Sequence, residues 1–420
     1  MRKDASDVSL PGGSARFAKK RQLIVDAATQ IINEKGVVGL TFAEVADLVG
    51  LSTSSATYYF RLKEHLAAAA FENTLHRIEK LVASAAREPD PLSRVSKYVR
   101  LYFEMHGEIH RSGGQPIAIL SEMRALDDAV RVPLAKQYSA IFRRIRDFFG
   151  PPESATHRAI NTARAQHLTE AMYWLPVWLF DYAYGDFDRV RGRMMEMFQH
   201  GLAVDGATWE PEPLAIGVDD AVPHGHADFL RVATRLISER GYRGASVDRI
   251  AAELKVTKGS FYHHLEAKEE MVLSCFRHSY AKISAVQRGA TGKTQWQRLT
   301  SIIVELLKIQ LSGEWPLMRT TALQTLPGEV RRAVFARSNR AALRFAGTIV
   351  DGVSEGSIRA VDPMVASQVI MSSLNAAYEL HNWAQRQGDA DRAVRLYASA
   401  LTDGLFDDRS MNWAEGSVRT

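Results

Sequence analysis

Two short tracts hold most of the residues able to do chemistry: STSSATYYFRLKE at 52–64 and VTKGSFYHHLEAKE at 256–269. Hydroxyls, tyrosines and lysines crowded into two helical turns donate hydrogen bonds and neutralise anions. They are suited to gripping phosphates and meeting base edges, not to making or breaking covalent bonds. Bond-making signatures are missing elsewhere too: there is no glycine-rich phosphate loop, no G-x-S-x-G elbow and no H-E-x-x-H, so no enzymatic activity is expected. His106 and His110 stand four apart, a spacing that can bind metal from one helix face. No third ligand accompanies them, and Leu306 and Gln310 stand at the matching places later in the chain. His263 and His264 are adjacent and diverge on a helix. The single cysteine, Cys275, reads as a small buried apolar residue. No metal or cofactor is expected.

These tracts need elements to hold them. Ile24, Ala27, Ala28, Ile31 and Ile32 recur at helical spacing, and Gly36 is expected to supply a left-handed C-cap. Thr41, with Glu44 three residues on, is a capping-box start for a second helix. Gly50, Leu51 and Ser52 turn the chain into a third helix over 54–60, and Lys63 opens a long fourth. The later copy repeats this layout: Ser246 caps VDRIAAEL, Lys255, Val256 and Thr257 turn, and 259–265 is the third helix. Small Ala46 and Ala251 let the helices cross closely. Val45, Val49, Leu51, Tyr59 and Phe60, matched by Ile250, Leu254, Val256, His264 and Leu265, supply the apolar support. Lys255 stands where Gly50 does, so a turn requiring positive φ costs about 1 kcal/mol there.

The two copies keep one register without a gap, Gly36 and Gly241 standing 205 residues apart, which signals duplication. The parallel continues at 116–126 with 316–326, 173–178 with 378–383, and 185–189 with 388–392. Pro, Gly and Asp signals break the remainder into helices, and no period-2 run predicts a sheet. With 420 residues, 46% hydrophobic and 24% charged, two units of about 200 residues can each build a core. A formal charge of +5 permits a polyanionic partner without requiring one. The lone cysteine and the lack of an apolar leader or spanning segment point to the cytoplasm. The expected order is a disordered arm (1–15), head 1 (16–66), regulatory domain 1 (67–203), an acidic linker (204–224), head 2 (225–271), regulatory domain 2 (272–407) and a tail (408–420). The linker region DGATWEPEPLAIGVDDAVPHG has three prolines, five acidic residues and no Lys or Arg.

The frame resembles the TetR family of transcriptional regulators, whose signature runs approximately Gly-Val-Ser-Lys-Gly-Thr-Leu-Tyr-His-Tyr-Phe, two variable residues, then Lys-Glu. The second copy keeps Lys258, Gly259, Ser260, Tyr262, His263, Lys268 and Glu269. The first keeps Lys63-Glu64 but has Thr53, Ser54 and Thr57 at the Lys, Gly and Tyr positions. By this resemblance Lys258 and Tyr262 contact phosphates, Ser260 and His263 lie near base edges, and Lys268 meets the backbone, with Ser246, Thr257 and Gly259 shaping the site. In head 1, Ser52, Ser55 and Tyr58 join Thr53, Ser54 and Thr57 as hydrogen-bonding candidates, with Thr41 and Lys63 flanking them. Head 1 also carries Arg16, Lys19, Lys20 and Arg21, a basic arm expected to enter an adjacent minor groove. Head 2 has no counterpart to it.

The resemblance further implies an all-α chain of two tandem units, each a three-helix head on a helical ligand-binding and pairing bundle, joined as an intrachain pseudodimer. The implied partners are a double-stranded operator, an imperfect palindrome because the recognition helices differ, and a small-molecule effector that releases a repressor. Tyr102, His106, Met123, His167, Tyr173, Trp174 and Trp178, with Tyr378 and Trp383, are candidates for an aromatic or acyl effector's pocket, or for the interface. The chain would act as a pseudodimeric monomer or pair again as a homodimer. The competing reading is a scaffold protein in which a degenerate first head no longer binds DNA.

Overall fold

The computed structural model describes residues 15–214, 224–257, 259, 268–318 and 328–407. Among them the secondary structure is helical apart from a lone antiparallel bridge, Ala203 to Ile358. The first head contains α1 (Ala15–Gly39), α2 (Phe42–Leu48) and α3 (Thr53–Tyr59), followed by the long α4 (Lys63–Ala85). Ile24, Ala28 and Ile32 of α1 join one core with Val45, Phe60 and Leu66. The Thr41 hydroxyl accepts from Glu44 N at 3.2 Å, so the expected N-cap forms. α3 starts one residue earlier than 54 because the Ser52 hydroxyl accepts from Ser55 N at 3.2 Å. Gly36 is not a left-handed cap. Its φ 71, ψ 171 lies in a region open essentially to glycine alone, and Gly241 repeats it at φ 73, ψ 167.

The first unit continues with α5 (Pro91–Ser112), a 3-10 turn (Leu120–Ala125), α6 (Asp128–Arg146), α7 (Ala155–Trp178) and α8 (Phe187–His200). The second unit repeats the order with α9 (His224–Gly244), α10 (Val247–Leu254), α11 (Lys268–Gly289), α12 (Gln295–Ser312), α13 (Gly328–Glu355) and α14 (Pro363–Ala376). It ends with α15 (His381–Ala384) and α16 (Ala390–Thr402). Among the described residues the copies differ at the helix that carries 173–178 in the first unit. α7 carries Tyr173 to Trp178 on one helix, whereas its counterpart leaves α-geometry after Ala376 as a 3-10 turn, Ala377–Leu380, before α15. His381 Nδ1 lies 2.9 Å from the Tyr378 carbonyl at this break.

The units pair through α7 and α8 against α14 and α16. Here Trp174 Nε1 donates to Gln368 Oε1 at 3.0 Å, and Gln166 Nε2 to the Ala376 carbonyl at 3.4 Å. The last helix of each unit ends in a positive-φ glycine, Gly201 and Gly404, where the two backbones meet. Ala203 N donates to Thr402 O at 2.9 Å, and Leu405 N to Phe198 O at 2.7 Å. The tandem chain is thus an intrachain pseudodimer. The described part of the acidic linker lies on the second unit: Trp296 Nε1 donates to Thr208 O at 2.8 Å, and the Arg395 guanidinium sits 4.2 Å from the Trp209 ring. Residues 215–223 lie outside the described residues.

Candidate nucleic-acid interface and ligand cavity

In head 1, α2 packs on α3, leaving Thr53, Ser54 and Tyr58 exposed on that short helix. Tyr58 is 75% exposed, high for an aromatic residue. Thr57 turns its hydroxyl back to the Ser54 carbonyl at 3.1 Å. Ser52 is spent on capping, with its Oγ also 2.8 Å from Ser55 Oγ and 3.0 Å from Ser54 Oγ. Thr41 likewise caps α2. Lys63 is the exposed first residue of α4. Gly50 (φ 65) makes the turn between α2 and α3.

The basic cluster Arg16, Lys19, Lys20 and Arg21 is part of the first helix. It occupies the first turns of α1, which is helical from Ala15. Helical spacing stacks this segment on the recognition helix: Phe17 lies 4.7 Å from the Tyr59 ring and the Arg21 guanidinium 4.8 Å from the Phe60 ring. The positive charge therefore forms a helical face beside α3. Residues 1–14 lie outside the described residues.

In head 2 the Ser246 hydroxyl caps α10 by accepting from Arg249 N at 3.2 Å. Lys255 takes φ 56, the left-handed turn that Gly50 makes in head 1. Thr257 and Gly259 are exposed, and Lys268 starts α11 half-buried. Lys258, Ser260, Tyr262 and His263 lie outside the described residues.

A cavity of about 920 Å³ opens where the first unit's helices meet residues of the second unit, inside the 300–1,000 Å³ range typical of small-molecule sites. Its walls include Tyr102, His106, Tyr138, Phe142, Tyr173 and Trp174. Met123 lines it as well, so five of the nine pocket candidates meet there. The Tyr138 and Tyr173 rings stack 6.0 Å apart. Burial pushes His106 down to about 3 and raises Tyr102 and Tyr173 well above the ordinary tyrosine range, so these groups stay neutral at ordinary pH. His106 Nε2 has no hydrogen-bond partner among the described residues. His110 stacks on Phe180 with ring centres 4.8 Å apart.

The other candidates lie elsewhere. His167 sits between the units: its Nε2 donates to the Tyr397 carbonyl at 2.9 Å, which leaves Nδ1 to accept the Ser373 hydroxyl at 2.7 Å. Burial lowers its pKa to about 4, matching that neutral tautomer. Trp178 meets Tyr182 edge-on, Tyr378 stacks on His381 and Trp383 packs near Tyr397. The sequence reading missed the cavity's second-unit wall, which includes Phe335, Glu379 and Leu380, and Glu239 from head 2. It also missed Arg124. Arg124 where the other copy has Gln324 in sequence, and Glu379 where it has Trp174, was the available signal.

Comparison with known proteins agrees with this geometry. The profile for bacterial regulatory proteins of the tetR family matches residues 24–70 and again 229–275, one match per head. The tetracyclin repressor-like C-terminal domain matches residues 292–405. The chain is 36% identical over 83 residues to the Transposon Tn10 TetC protein of Escherichia coli, covering 20% of this chain and 42% of that protein. It is 28% identical over 114 residues to the HTH-type transcriptional regulator BetI of Rhizobium meliloti, covering 27% and 56%. It therefore spans about half the length of these two relatives. With the HTH-type transcriptional repressor DhaR of a Mycobacterium species it shares 31% identity over 139 residues, 31% of this chain and 68% of the repressor. Two helix-turn-helix heads, each matched in its own unit, and a paired regulatory bundle place this chain in the TetR family, as a tandem of two units.

Proposed function

We propose that the protein is a sequence-specific DNA-binding transcriptional regulator, a repressor whose two unequal heads engage one imperfect palindrome and are released by a small-molecule effector. The observation that carries this reading is the covalent pairing of two helix-turn-helix heads across one bundle, so that both can face half-sites about one helical turn, 34 to 36 Å, apart. Head 2 supplies Lys258, Ser260, Tyr262, His263 and Lys268. Head 1 supplies exposed hydroxyls, Tyr58, Lys63 and the basic start of α1. The large cavity, walled by Tyr102, Tyr138, Phe142, Tyr173 and Trp174, supports an aromatic or acyl effector, and the relatives' repressor names support the direction of control. A single chain suffices as a pseudodimer, and the cytoplasm is its place of work.

Footprinting on the DNA upstream of the protein's own coding region, with solution mass measured on the same preparation, tests the reading. An asymmetric protected site with a single chain is expected, whereas a symmetric site with a chain dimer overturns the pseudodimer. Unchanged operator affinity after Lys258→Glu, Tyr262→Phe and Lys268→Glu together favours the scaffold reading instead.

A further inference from the structure

The 116–126 segment of the first unit lines the cavity through Pro116 to Ser121, Met123 and Arg124, and it also touches both heads. On the head 1 side, Asn33 Nδ2 donates to the Ile117 carbonyl at 2.9 Å, and Asn33 Oδ1 accepts from Ile119 N at 2.9 Å. Glu122 Oε2 accepts from Val37 N at 3.0 Å, one residue beyond the Gly36 break. On the head 2 side, Arg124 Nη1 donates to the Ser238 carbonyl at 2.9 Å, and its other amino group pairs with Glu379 of the second unit. Ser238 is the residue that corresponds to Asn33 in the duplicated register. One turn therefore holds the corresponding ends of both first helices, just before and after the glycine breaks.

The arrangement is written in the sequence on one side only. In the duplicated registers Arg124 corresponds to Gln324, Glu122 to Ala322 and Glu379 to Trp174. Gln324 and Trp174 cannot make the ion pair that Arg124 and Glu379 make, and Ala322 cannot accept a hydrogen bond through its side chain. Trp174 instead donates to Gln368, so that position is already committed to the bundle.

We propose that the 117–124 turn couples the first unit's cavity to both heads, with Arg124 the positioning residue on the head 2 side, so that one ligand resets their separation. This rests on reading the cavity as an effector site. A ligand pressing on the 117–124 wall moves the head 1 contacts at Asn33 and Val37 and the head 2 contact at Ser238 together. A guanidinium held by both a carbonyl and a carboxylate keeps its geometry better than either contact alone. Coupling of this kind needs an element that both sites bias, and the 117–124 turn meets that requirement.

Spin labels at Asp47→Cys and Ala252→Cys, corresponding exposed positions on α2 and α10, report the head-to-head distance without DNA, so failure of the DNA-binding reading leaves this test intact. Ala135→Trp partly fills the cavity and stands in for a ligand of unknown identity. With Arg124 present, Ala135→Trp should shift the distance distribution. With Arg124→Ala, the distribution should broaden and the shift should be lost. Arg124→Lys, which keeps a cationic donor for the Ser238 carbonyl and Glu379, should keep a narrower distribution than Arg124→Ala, which a misfolded head would not. An unshifted distance in the Arg124 protein, or a full shift in Arg124→Ala, overturns the proposal.

Discussion

Replacing His167 with glutamine should make the chain less stable at neutral pH and should also remove part of its acid sensitivity. The imidazole is fully buried between the units, and its pKa is lowered to about 4 against an ordinary value near 6.5. Above pH 6.5 the ring is neutral in both folded and unfolded chains, and its stabilising contribution is complete. As pH falls from 6.5 to about 4, the unfolded chain takes up a proton that the folded chain refuses, so stability is lost at about 1.4 kcal/mol per pH unit, some 3 kcal/mol across the window. His106, lowered to about 3, acts in the same sense, so only the difference between native and variant isolates His167. Glutamine can keep one of the two hydrogen bonds, to Tyr397 O or to Ser373, and leaves the other group unpaired, a cost of about 1–3 kcal/mol at pH 7.5. By pH 5 the native protein has given up about 2 kcal/mol that the variant never had, so the stability gap should narrow by that amount. Urea unfolding followed by circular dichroism at pH 7.5, 6 and 5 measures the gap. A gap that stays constant across those three conditions refutes the assignment of a neutral, proton-refusing His167 at the unit interface.

Gly201→Ala should destabilise the chain by about 3 kcal/mol or more, because its φ is 63 and an added Cβ would lie 2.3 Å from the Thr402 carbonyl oxygen. Gly206→Ala, at φ 77 with nothing within 4 Å, should cost only about 1 kcal/mol, and thermal unfolding of the two variants side by side separates packing from backbone strain. Lys255→Gly should raise stability by about 0.5–1 kcal/mol by relieving the left-handed turn at φ 56, and a lower denaturation midpoint would contradict that. Lys63→Ala should weaken operator binding and reduce the salt slope by about 0.9, read from mobility shifts over a salt series. An unchanged slope would place Lys63 away from the phosphates.

Most of the heads was legible because their information is local. Caps such as Thr41 and Ser246, the glycine breaks and the apolar spacing each act within a few residues, and the duplication repeated the message. Gly36 shows the limit of that reading: its residue type announced an unusual backbone, but only the structure distinguished ψ 171 from a left-handed cap. The basic cluster shows another, since the pattern is helical from Arg16 onward but only the structure sets Phe17 against Tyr59 and so the cluster beside α3.

The cavity was half legible for a different reason. Helical spacing could place Tyr102, His106, Tyr173 and Trp174 on inward faces, but whether an inward face meets a cavity or a partner helix depends on contacts across long sequence separations. His167 fell on the partner, 2.7 Å from Ser373, while Tyr173 fell on the cavity. Duplication hides such contacts rather than exposing them, because a symmetric repeat predicts symmetric neighbours. The departures from symmetry carry the missing information. Arg124 paired with Glu379, against Gln324 and Trp174 in the reciprocal positions, is a mismatch that a search for shared residues discards. Fusing two subunits freed each copy to lose what the other kept. The fusion therefore does more than tether two heads, because it permits one turn in one unit to hold them both.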